Sequence, residues 1–210
     1  MEIRTFLLGG FEVSAYVVHD GREAVLIDAP QGAEEMVAFC TAGGLEPRVL
    51  VNTHGHADHI YANAALKERW PAMTLAIGAA DARLLRSPTR NLSILLGAWI
   101  KSPEADRLLE DGDRVEAGGM SLEVLATPGH TQGGISLYAP AGPDGVPVVF
   151  TGDALFAGGI GRTDLPGMSH ETLLRGIRER LLALPPETVV YPGHGPATTI
   201  GEEARTNPWL

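Results

Sequence analysis

The sequence predicts an α/β fold in which two sheets pack face to face and helices cover their outer faces. Two observations predict this arrangement. The chain has two similar halves, each with several strand patterns followed by helix patterns. In each half, loops rich in His and Asp follow the strands, so these side chains are expected to gather at one edge of the sheets. We expect the 210 residues to form one domain, 1–210.

The N-terminal half begins with three strand patterns. Alternating or clustered apolar residues predict strands over 2–8, 12–18 and 23–28, then a helix over 32–43, a strand over 48–52, a helix over 60–69 and a strand over 73–77. Asp28 ends the third strand and is expected to cap the next helix. In the alternative role, its carboxylate would support a metal ligand from behind.

Residues 79–109 are predicted to be a helix-loop-helix insertion that carries no metal ligand. Its two helices are expected at 79–85 and 92–100, and Pro88 and Pro103 would end them. Two roles remain open for the insertion. It could form a wall or lid of a substrate pocket, or it could pack on the sheet as surface helices.

The C-terminal half returns to strands and ends in helices. Strands are predicted over 113–117, 120–126, 134–139, 146–151 and 188–191, and helices over 169–183 and 200–206. Gly and Pro clusters separate the strands. The pattern repeats the order of the N-terminal half, with strand ends that lead into polar loops.

The composition excludes several functions. With 16 basic and 26 acidic residues, the chain has a formal charge of −10, which argues against a nucleic-acid surface. The single cysteine, Cys40, allows no disulfide within the chain and is expected in the core. We find neither a signal-peptide pattern at the N-terminus nor an apolar run long enough for a membrane span. We therefore expect a cytoplasmic protein without a nucleic-acid or membrane partner. The sequence does not predict its oligomeric state.

The stretch from Thr53 to His59 is the strongest functional signal, because four of its seven residues can bind a transition metal. His54 and His56 are two residues apart and point to the same side of an extended backbone. Asp58 continues that alternation, and His59 falls out of phase at the start of a helix. One loop could therefore serve two adjacent ions; a single structural zinc is the simpler alternative.

Three further candidate ligands follow predicted strands. Each comes directly after a glycine, which lets the backbone turn tightly or approach a neighbour closely. The complete candidate set is His54, His56, Asp58, His59, His130, Asp153 and His194.

The loop resembles the HxHxDH motif of the metallo-β-lactamase superfamily, and the three later ligands occur in that family's order. The resemblance implies a four-layer αββα sandwich with two mixed sheets and a dinuclear site. By this resemblance His54, His56 and His130 hold one ion, Asp58, His59 and His194 hold the other, and Asp153 bridges them. It implies two divalent metal ions, with zinc the first expectation and iron or manganese also suited. A metal-bound hydroxide would be the nucleophile, and Asp58 would also orient it.

Two segments resemble glyoxalase II, the hydroxyacylglutathione thioesterase: Gly152 to Arg162 and Leu184 to Gly195. The resemblance places Arg162 where that family contacts the glutathione carboxylate, with pairing to Asp164 as the alternative role. Two departures bear on glutathione recognition. The C-terminal helical domain of the longer enzymes has no counterpart in these residues, and Thr163-Asp164 replaces the usual aromatic residues.

A second branch, the mononuclear iron persulfide dioxygenases, shares the run Gly161-Arg162-Thr163-Asp164. In that branch His54, His130 and Asp153 would hold one iron. Asp153 and the absence of a signal pattern argue against the β-lactamase branch. We therefore predict a metal-dependent hydrolase that cleaves a thioester of a small-molecule substrate. The alternatives are a persulfide dioxygenase, a hydrolase of another ester or lactone, and a non-catalytic metal-binding scaffold.

Overall fold

Two six-stranded sheets form the centre of the protein in a computed structural model, which describes residues 1–210 except for the side chain of Leu96. The first sheet contains, in both chain and spatial order, β1 (Glu2–Leu8), β2 (Val13–His19), β3 (Glu23–Ile27), β4 (Glu46–Asn52), β5 (Thr74–Gly78) and β6 (Arg107–Leu109). Strands β1 to β3 pair antiparallel, whereas β3 to β6 pair parallel. The sheet is therefore mixed, as predicted.

The second sheet is also mixed. The remaining strands are β7 (Arg114–Ala117), β8 (Met120–Ala126), β9 (Ile135–Ala139), β10 (Val148–Gly152), β11 (Leu155–Phe156), β12 (Gly159–Ile160), β13 (Val189–Pro192) and β14 (Thr198–Thr199). The spatial order of the sheet is β14-β13-β10-β9-β8-β7, and β11 and β12 form a separate small hairpin. Only β10 and β13 pair parallel in this sheet.

The main hydrophobic core lies between the sheets. Val18 and Val51 of the first sheet and Leu137 and Phe150 of the second belong to one buried cluster. The rings of Tyr16 and Phe150 meet edge to face with their centroids 5.0 Å apart. Complete burial of a side chain such as Phe150 contributes about 1.5–3 kcal/mol. This shared core fixes the two sheets against each other.

Helices cover the outer faces, and the αββα layering is confirmed. They are α1 (Glu34–Ala42), α2 (Ala57–Ile60), α3 (Asn63–Arg69), α4 (His170–Gly176), which a π-helical turn (Ile177–Leu181) continues, and α5 (Ile200–Thr206). Met36 and Cys40 of α1 pack with Leu26 of the first sheet. Leu173 of α4 packs with Val149 of the second sheet. Among the described residues, no helix has the length and apolar composition needed to cross a bilayer.

The helix predicted over 60–69 is confirmed over α3, but its start is wrong, because a separate short helix, α2, ends at Ile60. The backbone N–H of Ala62 donates to the carbonyl of Ala29 at 2.8 Å instead of continuing a helix. The Asn63 side chain donates to Asn52 and Ser102. These contacts tie the segment after the metal-binding motif to the ends of the neighbouring strands.

The two helices predicted within 79–109 are also wrong. The described backbone of this segment contains two 3₁₀ turns, Ala79–Asp81 and Ser93–Leu96, and ends in β6, which the sequence analysis missed. Leu92 has a φ of 66°, which no helix permits. The carbonyl of Asn91 accepts from the N–H of Ala57 at 2.9 Å. The segment therefore contacts the candidate metal loop and is held together by its own short-range hydrogen bonds, such as that from Ser102 N to the carbonyl of Leu85 at 2.8 Å.

Candidate metal centre

All seven candidate ligands gather at one edge of the sandwich. His54 and His56 follow β4, His130 follows β8, and Asp58 and His59 lie on α2. Asp153 and His194 follow β10 and β13. The pairs β4–β5 and β10–β13 are parallel, so that their carboxyl ends open toward the same edge.

The ligands form two separate groups of three, and a third group, His54, His59 and Asp153, links them. One group is His54, His56 and His130, all buried; the other is Asp58, His59 and His194, of which only His59 is fully buried. Within each group, one potential ligand atom of every residue lies within 4.8 Å of the others. The structure therefore brings together the two sets that the family resemblance implied.

Asp153 lies between the two groups. Its Oδ1 is 3.5 Å from His59 Nε2, and its Oδ2 is 3.5 Å from His130 Nε2 and 3.7 Å from His194 Nε2. Two ligand atoms on a tetrahedral zinc ion lie roughly 3.4 Å apart, since each is about 2.1 Å from the metal. These separations are too long for hydrogen bonds but suit atoms that share an ion.

Three atoms at the centre of the cluster are buried without a hydrogen-bond partner among the described residues: His54 Nε2, His59 Nε2 and Asp153 Oδ1. Buried polar atoms are nearly always paired, because an unpaired one costs about 1–3 kcal/mol. These three come from both groups and from the residue between them. The His and Asp groups thus suit a dinuclear metal site.

Hydrogen bonds on the far side of the rings direct their Nε2 atoms toward the centre. The Nδ1 atoms of His130 and His194 lie 2.9 Å from the carbonyl of Arg162 and 3.0 Å from the carbonyl of Phe11. A carbonyl only accepts, so each Nδ1 carries a proton and each Nε2 faces the cluster. Such outer hydrogen bonds fix the orientation of metal-binding histidines.

Asp28 supports one ligand of each group. Its buried carboxylate accepts from Thr53 N and Thr53 Oγ1 at 2.8 Å, and it lies 2.8 Å from His59 Nδ1. Thr53 Oγ1 is in turn 3.2 Å from His54 Nδ1. The expectation that Asp28 caps a helix is wrong, because Ala33 is the N-cap residue of α1. The contacts of Asp28 with His59, and with His54 through Thr53, fit the alternative role as a support of candidate metal ligands.

Asp81 is a residue that the sequence analysis missed. Its buried carboxylate accepts from Gly55 N at 2.9 Å and from Gly133 N at 2.7 Å. Burial raises the pKa of Asp81, more than these hydrogen bonds lower it. The carboxylate therefore joins the loop of His54 and His56 to the loop of His130. The available signal was its position just after β5, at the same edge as the ligands.

The electrostatics of His54, His56 and Asp58 favour metal-binding protonation states. Burial, followed by the neighbouring imidazoles, lowers the pKa of His54 well below its ordinary value, and burial and His130 lower that of His56 to about 3. Burial alone would raise the pKa of Asp58, but His59 and His194 lower it below its ordinary value. Neutral imidazole and ionised carboxylate are the forms that bind a cation.

His59 faces concentrated negative charge. Burial lowers the pKa of His59, but the carboxylates of Asp28, Asp153 and Asp58 raise it by more, so that the net pKa is about 10. The same carboxylates that favour a proton on this ring would favour a cation at the same place. This charge balance agrees with the unpaired Nε2 atom.

Comparison with known proteins identifies the family. Residues 8–194 match the sequence profile of the Metallo-beta-lactamase superfamily. This chain belongs to the metallo-β-lactamase superfamily. A curated relative, the hydroxyacylglutathione hydrolase GloC of Haemophilus influenzae, is 34% identical over 100% of this chain and 98% of its own.

Three solved structures show how similar members of the superfamily differ in their described chemistry. The BLEG-1 B3 metallo-β-lactamase has a TM-score of 0.91 and 36% identity, covering 100% of this chain and 99% of its own. TTHA1623 in a di-iron-bound form has a TM-score of 0.87 and 40% identity, covering 99% and 100%. ETHE1 from Myxococcus xanthus has a TM-score of 0.79 and 32% identity, covering 99% and 84%.

Two glycines before the ligands of this metallo-β-lactamase superfamily member allow close approach, as the sequence analysis predicted. A Cβ atom on Gly193 would lie 2.3 Å from Asp153 Oδ1 and 2.9 Å from His59 Cε1. A Cβ atom on Gly152, whose φ is 48°, would lie 2.4 Å from Thr53 Oγ1. Any side chain at these positions would displace ligands or their supports.

Arg162 lies in the cleft above the cluster, but its guanidinium is paired. Its Nε and Nη2 atoms donate to the two carboxylate oxygens of Asp164 at 2.8 and 2.9 Å. This pairing is the alternative that the sequence left open. Contact of Arg162 with a substrate stays a prediction, as does metal binding by the seven ligands.

The cleft above the cluster has a volume of about 300 Å³ and reaches His56, Asp58, Asp153 and His194. Leu92 and Leu95 from the segment 79–109 line it. The sequence left two roles open for this segment, and its position fits that of a pocket wall.

Proposed function

We propose that this protein is a metal-dependent thioester hydrolase of the glyoxalase II type, acting on a small-molecule substrate. The observation that carries the proposal is the pair of ligand groups with Asp153 between them, at distances suited to shared ions. The similarity to the hydroxyacylglutathione hydrolase GloC over nearly the whole length of both chains supports the thioester class.

Each part of the proposed centre has a defined role. His54, His56 and His130 would hold one ion, Asp58, His59 and His194 the other, and Asp153 both. When bound, the ions would supply a hydroxide nucleophile and polarise the substrate carbonyl. Zinc suits these ligands, and iron is supported by the di-iron form of TTHA1623.

The chain itself contributes orientation and proton handling. Asp58 is held ionised by His59 and His194, so that its carboxylate can accept a hydrogen bond from the attacking group and orient it. Asp28 holds the ring of His59 directly and that of His54 through Thr53. Leu92 and Leu95 give one side of the cleft an apolar lining. A substrate carboxylate could bind Arg162 only by replacing Asp164 or sharing the guanidinium with it.

A persulfide dioxygenase is the second candidate. ETHE1 of Myxococcus xanthus is 32% identical over 99% of this chain. The run Gly161 to Asp164 fits that branch, as the sequence analysis noted. In that case His54, His130 and Asp153 would hold a single iron. The distinction depends on whether Asp58, His59 and His194 also bind an ion.

The test combines metal content with a substrate panel. The purified protein is analysed for zinc, iron and manganese per chain and assayed with S-lactoylglutathione, glutathione persulfide and a chromogenic β-lactam. Two ions per chain and hydrolysis of the thioester are expected. One iron with oxygen consumption on the persulfide would replace the proposal with the dioxygenase. Hydrolysis of the β-lactam alone would replace it with the activity for which BLEG-1 is described.

A variant pair tests the second ion. His59→Ala removes a ligand from one group only, and His170→Ala removes an exposed imidazole outside the cluster. We expect His59→Ala to lose one ion per chain and more than about 100-fold in thioesterase kcat/KM, exceeding the effect of an outer support. His170→Ala should retain both ions and the full thioesterase kcat/KM. Full activity of His59→Ala would contradict a two-metal mechanism.

A further inference from the structure

A second cavity lies beside the metal centre, between the loop after β1 and the residues that follow the second 3₁₀ turn. Its volume is about 280 Å³, near the lower end of the range of about 300–1,000 Å³ for ligand pockets. Leu8 and Val13, which are 3% and 1% exposed, line it together with Ala98 and Ile100. It is therefore built from both the first sheet and the segment 79–109.

The cavity adjoins the cleft above the cluster. Phe11, Ala57 and Asp58 line both spaces. The carbonyl of Phe11 also holds the ring of His194 by its hydrogen bond to Nδ1 at 3.0 Å. The loop that forms the rim of the cavity is thus fixed to the metal centre, and a group bound at Asp58 can extend into the cavity.

The lining favours an uncharged apolar group. Leu8, Val13, Pro30 and Ile100 present carbon atoms, and no Lys, Arg or His side chain lines the cavity. The single charge at its edge is the carboxylate of Asp58. A bound anion would be repelled by this carboxylate and would find no cation to pair with, whereas an alkyl chain would leave water for an apolar surface.

The rim also matches such a group. Phe11 and Tyr61 are 56% and 47% exposed, which is unusual for large aromatic side chains. Both line the cavity, so their exposed faces border its mouth. An alkyl chain that enters the cavity would cover apolar surface that is otherwise in contact with water.

The opposite flank of the metal centre differs from the cavity in carrying cations beside its apolar side chains, which include Leu84, Ile94 and Met168. The cleft beyond His56 and His130 is lined by Arg90, and Arg162 lines the space directly above the cluster. Both guanidiniums belong to exposed residues. An anionic part of a substrate can pair with a cation only on this side, because the cavity has Asp58 at its edge and no cationic side chain in its lining.

We propose that the cavity binds the aliphatic acyl chain of a thioester whose polar thiol portion lies toward Arg90 and Arg162. This inference rests on the proposed thioester hydrolysis and names its preferred substrates: medium-chain acyl thioesters, cleaved faster than short hydroxyacyl ones. A methylene group fills about the volume of a water molecule, roughly 30 Å³, so the cavity holds a chain of roughly eight carbons.

The kinetic test uses the metal-loaded protein and glutathione thioesters with acyl groups from acetyl to decanoyl. Because each methylene transferred to an apolar site contributes about fourfold in an equilibrium constant, kcat/KM should rise steeply with chain length. The increase should end near octanoyl, when the cavity is full. A profile that is flat or falls from acetyl onward would overturn the proposal.

Two matched variants locate the effect. Ala98→Leu places three carbons in the cavity, whereas Ala65→Leu makes the same change at an exposed position of α3. The octanoyl-to-acetyl ratio of kcat/KM should fall at least tenfold in Ala98→Leu and stay at its original value in Ala65→Leu. Since the ratio is taken within one protein, differences in metal loading cancel. An unchanged ratio in Ala98→Leu would contradict binding in this cavity.

A binding measurement separates this inference from the proposed function. The thioethers S-octylglutathione and S-methylglutathione cannot be hydrolysed, and calorimetric titration compares their affinities. If the octyl compound binds at least tenfold more tightly and Ala98→Leu removes the difference, the cavity assignment stands even if no thioester is cleaved. If short thioesters are cleaved but neither kinetics nor binding depends on chain length, the cavity assignment is wrong and thioester hydrolysis stands.

Discussion

Replacement of Asp81 by Asn should loosen the metal centre although Asp81 is not among the candidate ligands. The carboxylate accepts one N–H from Gly55 and one from Gly133, and an amide of the same shape can accept only one of them. The other buried N–H would be left unpaired, at about 1–3 kcal/mol, and the remaining hydrogen bond would lose its charged acceptor, at about 1 kcal/mol. We expect a total loss of about 2–4 kcal/mol in the free energy of unfolding.

This loss should lower the melting temperature by roughly 4–16 °C, since 1 kcal/mol corresponds to about 2–4 °C at this chain length. Metal affinity should fall about 10–100-fold, as for other outer supports of metal ligands. Thermal unfolding measures the first effect, and competition with a chelator measures the second.

The matched control is Asp106→Asn, because the exposed Asp106 carboxylate also accepts a backbone N–H, that of Leu75. It should change neither quantity by more than a small fraction of the Asp81 effect. If Asp81→Asn resembles this control in both measurements, the assignment of Asp81 as a link between the two ligand loops is refuted.

Three other changes have defined outcomes. Gly193→Ala places a Cβ atom 2.3 Å from Asp153 Oδ1 and should reduce the metal content per chain, measured by elemental analysis. The control Gly119→Ala, whose Cβ would meet no atom within 4 Å, should keep its metal, and equal metal content in both variants would disprove the steric argument. Cys40 is fully buried, and burial raises the pKa of its thiol to about 11, so a thiol reagent at pH 8 should modify it only in denaturant. Rapid modification of the native protein would contradict this and show that the core around Cys40 opens. Asp28→Asn should weaken retention of both ions in a chelator titration, by about 10–100-fold, because Asp28 supports a ligand of each group; loss of one ion alone would contradict this shared support.

The sequence predicted the elements whose signals are local. Alternating apolar residues located β1 and β8, and the order of strands and helices predicted two packed sheets with helices outside; that both sheets are mixed was implied by the family resemblance. The recurring combination of an apolar strand, a glycine and a potential ligand located His130, Asp153 and His194. Parallel strands with their carboxyl ends at one edge explain why this pattern was sufficient to bring the ligands together.

The errors have a common physical cause, because they occur where tertiary hydrogen bonds replace local ones. The helix predicted over 60–69 is interrupted where Ala62 donates to Ala29, and the one predicted over 92–100 is replaced where Asn91 accepts from Ala57. Asp28 was expected to cap a helix and instead contacts His59, which is 31 residues away in the chain. Asp81 bonds groups 26 and 52 residues away. Such partners have no signature in a short window of sequence.

The stretch 92–100 would separate selectivity from chemistry in the proposed enzyme. It contributes no candidate ligand, yet Leu92 and Leu95 line the cleft on one side of the cluster and Ala98 and Ile100 line the cavity on the other. Substitutions at these four positions can therefore reshape both ends of the substrate site while the seven ligands keep their places. Exchange of this short stretch between relatives is a direct route to altered substrate preference within an unchanged catalytic framework.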